Sequence, residues 1–579
     1  MTAPARTAAL AAAALACATG LTVTPGSSAA PALPAGSIVA AGNPAVELQG
    51  RWDRAAWADT TVNSGSRIFM RFTGRRLAAV IAATARGAQF FSRVDNGPAV
   101  LHVPGGPGTA RAAGGRGYGP GSSYAMQGTG YGLVNLTPRP LASGFHTVEI
   151  DVKDVDGGGD RWSPPLTSAF DLTGFLLDRG ARAVPLPAAQ ARPMLFLGDS
   201  ITEGIRASGP QIGPEGTDAT EDYAWLTGRA FGADFSQVGF GGQGIFKDGD
   251  GGVPPAAATL RYNYLGSPAG RGSVPQVVVV NEGTNDSRVR SARFRPAYLS
   301  YLRRIRSAWP GALIVALRPF DGTHAADIAA AVKALDDPRT VYSDTAGWIR
   351  PDELTDGLHP SFIGHLTVAR RLETVIARLT GWRYTPTPAA VCQWLPIARA
   401  GATVAVAGSQ PQPVAAVRAL DGTAAAGAVS PAAPVSQEKR GWAPAYGGQP
   451  ILAAAPAAGA AAGPVSGRRG WREVRMGFRH PVPVPAAARD LFVYVSVPEW
   501  AAKWYEVRLT VSGGRSARTV TDSAIPVAGF VPWARIHVGL GGWRGPLAGL
   551  TVEVRGDGPA GGNLPFLVSS IGWTNQPDG

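Results

Sequence analysis

Between Val46 and Val184 the hydrophobic positions fall in short runs that alternate with polar residues and are separated by glycines. Each run has the length and the β-branched or aromatic content of a strand. The runs are Arg67 to Phe72, Leu77 to Ala83, Gln89 to Val94, Val100 to Val103, Thr147 to Val152 and Phe170 to Leu177. This pattern predicts an antiparallel β-sandwich over residues 40–184.

After the Pro- and Ala-rich joint at Val184 to Pro193, the hydrophobic pattern changes. Unbroken apolar runs, typical of strands buried on both faces, alternate with stretches of helical periodicity. The strands are Met194 to Leu197, Val277 to Val280 and Leu313 to Leu317, and the helices are Tyr223 to Phe231, Arg295 to Ala308, Ala325 to Leu335 and Gly364 to Leu379. We therefore expect an α/β domain over residues 190–385, with helices on both faces of a parallel sheet.

Residues 386–579 begin with an Ala/Pro/Gly-rich segment and continue, beyond about Arg468, as a β-rich C-terminal domain. Its predicted strands are Leu491 to Val497, Tyr505 to Val511, Ala534 to Val538 and Leu550 to Val554. The region holds eight of the 15 tryptophans. They either fill a small core or form a carbohydrate-binding platform, and the sequence leaves both interpretations open.

Residues 1–30 have the pattern of a secretory signal, with a positive charge at Arg6, an apolar stretch from Ala8 to Val23 and small residues up to Ala30. Cleavage there predicts a secreted protein, periplasmic or extracellular, without a transmembrane segment once the signal is removed. Cys17 leaves with the signal, so Cys392 has no partner and no disulfide forms within the chain. An uncleaved anchor and lipidation at Cys17 are the alternatives.

The composition of the 579-residue chain is loop-rich, with 76 glycines, 49 prolines and only 16% charged residues. It excludes coiled-coil and fibrous proteins. Lys and Arg exceed Asp and Glu by 54 to 41, a formal net charge of +13, yet the basic residues form no cluster. We therefore expect no nucleic acid partner. The dispersed charge fits acidic polysaccharides, anionic envelope surfaces or a bias of composition. The sequence does not determine the oligomeric state.

Four short segments of the α/β region carry the candidate chemistry. Gly198 to Gly204 and Asn281 to Asp286 follow predicted strands. Gly239 to Gly244 ends a further predicted strand that begins at Phe235, and Asp356 to Pro360 precedes the last helix. Active sites of open α/β sheets lie at the carboxyl ends of the strands, so these segments are expected to converge there.

A serine hydroxyl needs a base to take its proton, and the base needs a carboxylate to orient it. Ser200 is the candidate nucleophile, His359 the base and Asp356, three residues before it, the orienting carboxylate. An oxyanion needs fixed donors, which the Ser200 N–H, the Gly242 N–H and the Asn285 side chain can supply. By contrast, His324 and His365 are expected to be structural or surface residues, because neither has a carboxylate at suitable short spacing.

The motifs Gly198-Asp199-Ser200, Gly242, Gly283-x-Asn285-Asp286 and Asp356-x-x-His359 resemble the four blocks of the SGNH (GDSL-type) hydrolases. The resemblance covers about Ala191 to Thr385. It implies a three-layer α/β hydrolase fold, no metal or cofactor, and ester hydrolysis through a covalent acyl-enzyme. One departure, Ser236 where the family often has Asn, leaves the oxyanion glycine open between Gly241 and Gly242.

The N-terminal region is similar to the jelly-roll domain that precedes the hydrolase in carbohydrate esterase family 2. The similar segments are Gly50-Arg51-Trp52, Ile68 to Gly74, Val94 to Gly97, Gly144 to Val148 and, within the hydrolase region, Tyr223 to Ala230. This resemblance implies a secreted acetyl esterase that acts on an acetylated polysaccharide such as xylan or glucomannan.

We accordingly expect a carboxylic ester hydrolase that removes O-acetyl groups from an acetylated polysaccharide. Two alternatives remain from the sequence. A polysaccharide O-acetyltransferase would use the same residues but pass the acetyl group to a sugar hydroxyl, and a noncatalytic carbohydrate-binding or envelope scaffold protein would keep only the fold. The polysaccharide and the acylated position stay undetermined.

Overall fold

The computed structural model describes most of the chain and shows three regions, each with its own sheets. The described residues are 36–55, 58–83, 88–102, 131–187, 192–269, 274–395, 402–406, 412–413, 451–454, 471–497, 502–514, 516–527, 533–557, 566–569 and 571–577. The predicted signal at residues 1–30 lies outside them, as do Trp442, Trp500 and most of the Ala/Pro/Gly-rich segment.

The N-terminal region forms two antiparallel sheets with a core between them. Its strands are β1 (Ser37–Ala40), β2 (Val46–Gln49), β3 (Asp53–Arg54), β4 (Asp59–Thr61), β5 (Arg67–Thr73), β6 (Leu77–Ala83), β7 (Gln89–Val94), β8 (Val100–His102), β9 (Tyr131–Asn135), β10 (Phe145–Asp154), β11 (Phe170–Leu177) and β12 (Ala183–Val184). One sheet has the order β3-β4-β11-β6-β9 with β1 beside β11, and the other β12-β5-β10-β7-β8 with β2 beside β5.

The central region is a parallel five-stranded sheet in the order β14-β13-β17-β18-β19. Its strands are β13 (Met194–Gly198), β14 (Phe235–Gly239), β17 (Val277–Asn281), β18 (Leu313–Leu317) and β19 (Thr340–Ser343), and a small hairpin of β15 (Tyr262–Tyr264) and β16 (Ser267–Pro268) lies outside the sheet. The helices are α1 (Ser200–Glu203), α2 (Tyr223–Ala230), α3 (Ala256–Thr259), α4 (Ser291–Ala308), α5 (Ala325–Leu335) and α6 (Phe362–Thr380).

Alternation of side chains along β13 explains the layers. Leu195 and Leu197 share one core cluster with Phe294 of α4 and with Ile328 of α5. Met194 and Phe196 point to the opposite face, in a cluster that includes residues of α2 and α6. Because both faces of the strand are covered, its residues are all buried, as the unbroken apolar run predicts.

The start of helix α4 differs from the prediction by four residues, whereas the other predicted helix boundaries agree to within two residues. Helix α4 begins at Ser291 rather than Arg295, so Pro296 lies inside the helix. The additional turn contains Phe294, which is fully buried and stacks on His324 with ring centroids 3.7 Å apart. Packing of this aromatic ring therefore extends the helix beyond the proline, which by itself favours a helix start.

The C-terminal region contains two further antiparallel sheets. Its strands are β20 (Cys392–Trp394), β21 (Ala402–Val406), β22 (Gln412–Pro413), β23 (Ile451–Ala454), β24 (Arg472–Val482), β25 (Asp490–Ser496), β26 (Trp504–Gly513), β27 (Ser516–Pro526), β28 (Ala534–Gly539), β29 (Leu547–Gly556), β30 (Phe566–Ser569) and β31 (Gly572–Thr574). The sheet with the order β20-β31-β25-β30-β23, with β28 beside β25, is called the clamp sheet below. The other sheet has the order β22-β21-β24-β29-β26-β27.

Three of the C-terminal tryptophans are buried, namely Trp471, Trp533 and Trp573, whereas Trp504 is exposed. Trp573 belongs to the main core cluster of this region, and Trp533 belongs to a cluster shared with α6. Trp533 and Trp573 therefore fill cores. Among the described helices, none is both long enough and apolar enough to cross a membrane.

Substitution of Gly228 tests the close packing of α2 on β14. A Cβ atom at Gly228 would lie 2.2 Å from the buried Phe235 ring. Gly228→Ala is therefore expected to destabilise the fold by about 1–3 kcal/mol and to lower the thermal denaturation midpoint. Gly311→Ala is the control, because a Cβ there meets no atom within 4 Å. Equal midpoints for the two variants would contradict this packing.

Candidate active site

Strand β13 delivers Ser200 to the carboxyl edge of the parallel sheet. The strand ends at Gly198, and Asp199 caps helix α1 by accepting a 3.0 Å hydrogen bond from the Ile201 N–H at its Oδ1. A Cβ atom on Gly198 would lie 2.2 Å from the Thr202 hydroxyl oxygen, so only glycine fits the turn. Ser200 is thereby fixed as the first residue of the helix, with 7% of its surface exposed.

The structure brings Ser200, His359 and Asp356 together in one hydrogen-bonded line. The distance from Ser200 Oγ to His359 Nε2 is 3.0 Å, and the distance from His359 Nδ1 to Asp356 Oδ2 is 2.6 Å. The carboxylate accepts from Nδ1, which leaves Nε2 free to accept the serine proton. This arrangement can activate a hydroxyl for nucleophilic attack.

Asp356 is fully buried and heavily hydrogen-bonded. Its Oδ1 accepts from the N–H groups of Leu358, at 2.9 Å, and of His359, at 2.7 Å. Its Oδ2 also accepts from Arg206 Nη1 at 2.5 Å. Burial alone would raise the pKa of Asp356, but the charges of His359 and Arg206 and the hydrogen bonds lower it below the usual range.

This lowered pKa has a consequence for stability. A carboxylate whose pKa is lower in the folded than in the unfolded state stabilises the fold above its unfolded value of about 4. For Asp356 that contribution is lost as the pH falls below this value towards the folded-state pKa. Near neutral pH the group therefore stays ionised, as an orienting carboxylate must.

No sequence motif marks Arg206 as part of the site. It lies in the turn after α1 with a positive φ of 63° and is 3% exposed. Its guanidinium contacts Asp356, and its carbonyl accepts a 2.8 Å hydrogen bond from the Thr355 hydroxyl. Arg206 thus neutralises Asp356. It also ties the loop that carries Asp356 to the turn after α1, called the nucleophile turn below because α1 begins at Ser200.

Gly241 and Gly242, the two candidates for the glycine that donates to the oxyanion, differ in the hydrogen bonds of their N–H groups. The Gly241 N–H donates to Glu203 Oε2 at 2.6 Å and is therefore occupied. The Gly242 N–H makes no hydrogen bond within the described residues, and Gly242 has a φ of 71°, which favours glycine. Of the two, Gly242 is the available donor.

Two further donors lie beside it. The Ser200 N–H is in the first turn of α1, where amides have no intrahelical acceptor. The Asn285 side-chain amide donates to the Gln243 carbonyl at 2.8 Å and, more weakly, to Asp199 Oδ2 at 3.4 Å. Burial raises the pKa of the Asp199 carboxyl, which accepts this weaker hydrogen bond, to about 6. The weaker contact of Asn285 is the one that an oxyanion could replace.

A buried ion pair between the N-terminal region and helix α1 holds in place the loop of residues 239–244, called the glycine loop below. Arg161, in the loop after β10, is fully buried and pairs with Glu203 Oε1, and the other oxygen of Glu203 holds the Gly241 N–H. Neither Arg161 nor Glu203 was predicted from the sequence as a site residue. Glu203 stands inside the Ser200 motif, but its partner lies 42 positions away and carries no motif.

Asp286 supports the loops rather than the reaction. Its Oδ2 accepts from the Ile245 N–H at 2.7 Å, and its Oδ1 accepts from the Phe246 N–H at 3.0 Å. The Asn285 turn is therefore tied to the glycine loop. No group of three or more His, Cys, Asp or Glu side chains within the described residues is arranged to hold a metal ion.

The expected structural role of His324 and His365 fits their contacts, but the reason given for His324 is wrong. His324 Nδ1 lies 3.0 Å from Asp327 Oδ2, so a carboxylate does stand at short spacing. Its Nε2 lies 3.0 Å from the Asp286 carbonyl. His365 accepts from the Tyr223 N–H at 3.1 Å, and burial lowers its pKa to about 3.

Comparison with known proteins places this site in a family. Residues 196–366 match the model of the GDSL-like Lipase/Acylhydrolase family. An acetylxylan esterase / glucomannan deacetylase of Cellvibrio japonicus (strain Ueda107) is 25% identical over 259 residues, which are 42% of this chain and 69% of that protein. The cellulase/esterase CelE of Acetivibrio thermocellus is 30% identical over 153 residues, 24% of this chain and 19% of that protein.

Among solved structures, a family two carbohydrate esterase from Cellvibrio japonicus aligns with a TM-score of 0.49 and 21% identity. The alignment covers 60% of this chain and 98% of that one. The match of residues 196–366 to the GDSL-like lipase/acylhydrolase family model confirms the resemblance predicted from the sequence motifs, and the protein is a carboxylic ester hydrolase.

Proposed function

We propose that the protein removes O-acetyl groups from an acetylated polysaccharide, with Ser200 as nucleophile. The observation that carries this proposal is the 3.0 Å contact between Ser200 Oγ and His359 Nε2, continued by the 2.6 Å contact from His359 to Asp356. The substrate class is supported by the relative that is named acetylxylan esterase / glucomannan deacetylase. In this proposal the predicted signal at residues 1–30 directs the enzyme to the secreted or periplasmic space.

In the first half of the reaction, Ser200 Oγ attacks the acetyl carbonyl carbon while His359 Nε2 takes the hydroxyl proton. The Ser200 N–H, the Gly242 N–H and the Asn285 amide stabilise the resulting oxyanion. His359 then gives its proton to the sugar oxygen. The bond between that oxygen and the acetyl carbon breaks, and an acetyl-enzyme forms.

Water completes the cycle by the same steps. His359 takes a proton from the water that attacks the acetyl-enzyme, and returns it to Ser200 Oγ as acetate leaves. Asp356 stays ionised throughout and stabilises the protonated imidazole. Transfer to a sugar hydroxyl would need an acceptor in place of water at this second step.

The experiment that tests the proposal measures products. Purified full-length protein is incubated with acetylated xylan, mannan, cellulose and a bacterial exopolysaccharide, with and without oligosaccharide acceptors. Free acetate is expected from at least one polysaccharide. Acetylated acceptor in excess of free acetate would contradict hydrolysis, and no release from any acetyl ester would contradict the proposal as a whole.

Removal of the nucleophile is the first mutational prediction. Ser200→Ala is expected to lower kcat on a chromogenic acetyl ester by at least ~10⁴-fold, because residual catalysis comes only from the oxyanion donors and binding. Ser236→Ala, a serine outside the site on β14, serves as the matched control and keeps its activity. Turnover by Ser200→Ala equal to that of the control would rule out Ser200 as nucleophile.

Removal of the positive charge at Arg206 is expected to change the pH profile. Without Arg206 Nη1, 2.5 Å from Asp356 Oδ2, the Asp356–His359 pair binds a proton more readily. In Arg206→Met the acidic limb of kcat/KM should therefore move to higher pH, by about one unit. Arg206→Lys keeps the charge and should restore the wild-type limb. An unmoved limb in Arg206→Met would show that the guanidinium does not act on the pair.

A further inference from the structure

The segment 351–356, which ends at Asp356, is held from outside by the clamp sheet. The Tyr494 hydroxyl, on β25, donates to the Leu354 carbonyl and lies 3.2 Å from the Pro351 carbonyl. The Arg535 N–H, on β28, donates to the Thr355 carbonyl at 2.8 Å. Two strands of one sheet therefore hold the backbone immediately before Asp356.

A third strand of the clamp sheet contacts the same segment. On β20, Cys392 donates from Sγ to the Asp352 carbonyl at 2.8 Å, and the Cys392 carbonyl accepts from the Arg350 guanidinium. Burial raises the pKa of the Cys392 thiol to about 12, so the thiol stays protonated and can donate. The cysteine thus acts as a buried hydrogen-bond donor.

The clamp sheet also packs on the helix that follows His359. Ile363 and Leu366, near the start of α6, form one apolar cluster with Phe492, Tyr494 and Trp533. Each of these side chains is at most 2% exposed. The clamp sheet therefore contacts both the segment that precedes Asp356 and the helix that follows His359.

On its inner side the same loop is tied to the nucleophile turn. Thr355 bridges the two, because its hydroxyl donates to the Arg206 carbonyl and its own carbonyl accepts from the clamp sheet. A second contact joins Gln211 to Asp522 Oδ1 on β27 at 3.2 Å. A displacement of the C-terminal sheets would thus move Asp356 as well, because only a few hydrogen bonds separate the two.

We propose that the C-terminal region is a positioning element for the proposed reaction, and that Tyr494 is its principal positioning residue. This rests on the proposed roles of Asp356 and His359. The rate of proton transfer between Ser200 and His359 depends on the distance between them. A displacement of about 1 Å can lower the reaction rate by up to ~100-fold. The clamp sheet limits that displacement by fixing carbonyl groups of the loop.

The test compares Tyr494→Phe with Tyr264→Phe in the full chain. Both variants lose one tyrosine hydroxyl that donates a hydrogen bond, but the Tyr264 hydroxyl contacts Asp53, away from the loop. We expect kcat on an acetyl ester to fall by about 10-fold in Tyr494→Phe with KM within twofold of wild type, because the pair is misplaced while the acyl pocket is retained. Thermal denaturation of both variants checks that they are folded at the assay temperature.

A second readout does not depend on the substrate. A fluorophosphonate probe reacts when Ser200 Oγ displaces fluoride from phosphorus and His359 takes the serine proton, so the labelling rate reports the reactivity of Ser200 without the deacetylation step. It should fall about 10-fold in Tyr494→Phe and remain at the wild-type rate in Tyr264→Phe. Equal labelling rates and equal kcat values for the two variants would overturn the positioning role.

The two proposals can fail separately. If the wild type is labelled at Ser200 but releases no acetate from any ester, the proposed function fails, and the labelling comparison still decides the role of Tyr494. If acetate is released normally by wild type and by Tyr494→Phe alike, the positioning role fails and the proposed function stands.

Discussion

The Asp356 carboxylate is fully buried, and a buried charge is costly unless it is paired and hydrogen-bonded. Here two N–H groups, an imidazole and a guanidinium surround it. The pairing with His359 fixes which imidazole nitrogen faces Ser200. The pairing with Arg206 ties the loop to the turn after the nucleophile. The chemistry of the site therefore depends on keeping the buried Asp356 carboxylate ionised and paired. Much of the surrounding structure holds these partners in position.

The flanking β regions contribute to this geometry from opposite ends of the chain. From the N-terminal side, Arg161 pairs with Glu203, which holds the glycine loop through the Gly241 N–H. From the C-terminal side, Tyr494 holds the backbone that leads to Asp356. The parallel sheet brings the reacting groups together, as expected at the carboxyl ends of its strands. The β regions add contacts to the loops at this edge, through Glu203 on one side and through Tyr494 on the other.

The sequence was sufficient to predict strands β13, β14, β17 and β18 of the parallel sheet and the meeting of Ser200 with His359, because those features depend on local patterns and on strand ends. The edge strand β19 was not predicted. It could not predict Arg206 or the pair formed by Arg161 and Glu203. Such partners are chosen by three-dimensional proximity, and an arginine within an arginine-rich chain carries no distinguishing pattern. The carboxylate beside His324, by contrast, was predictable from the sequence, because Asp327 lies only three residues further along the chain.

The account stands on Ser200 as the residue that carries the acyl group. Rapid quenching of the enzyme with an activated acetyl ester, followed by proteolysis and mass spectrometry, reads this directly. An acetyl group on the peptide containing Ser200, formed and lost at rates that match turnover, is the predicted result. Full turnover with the acetyl group on another residue would contradict the account.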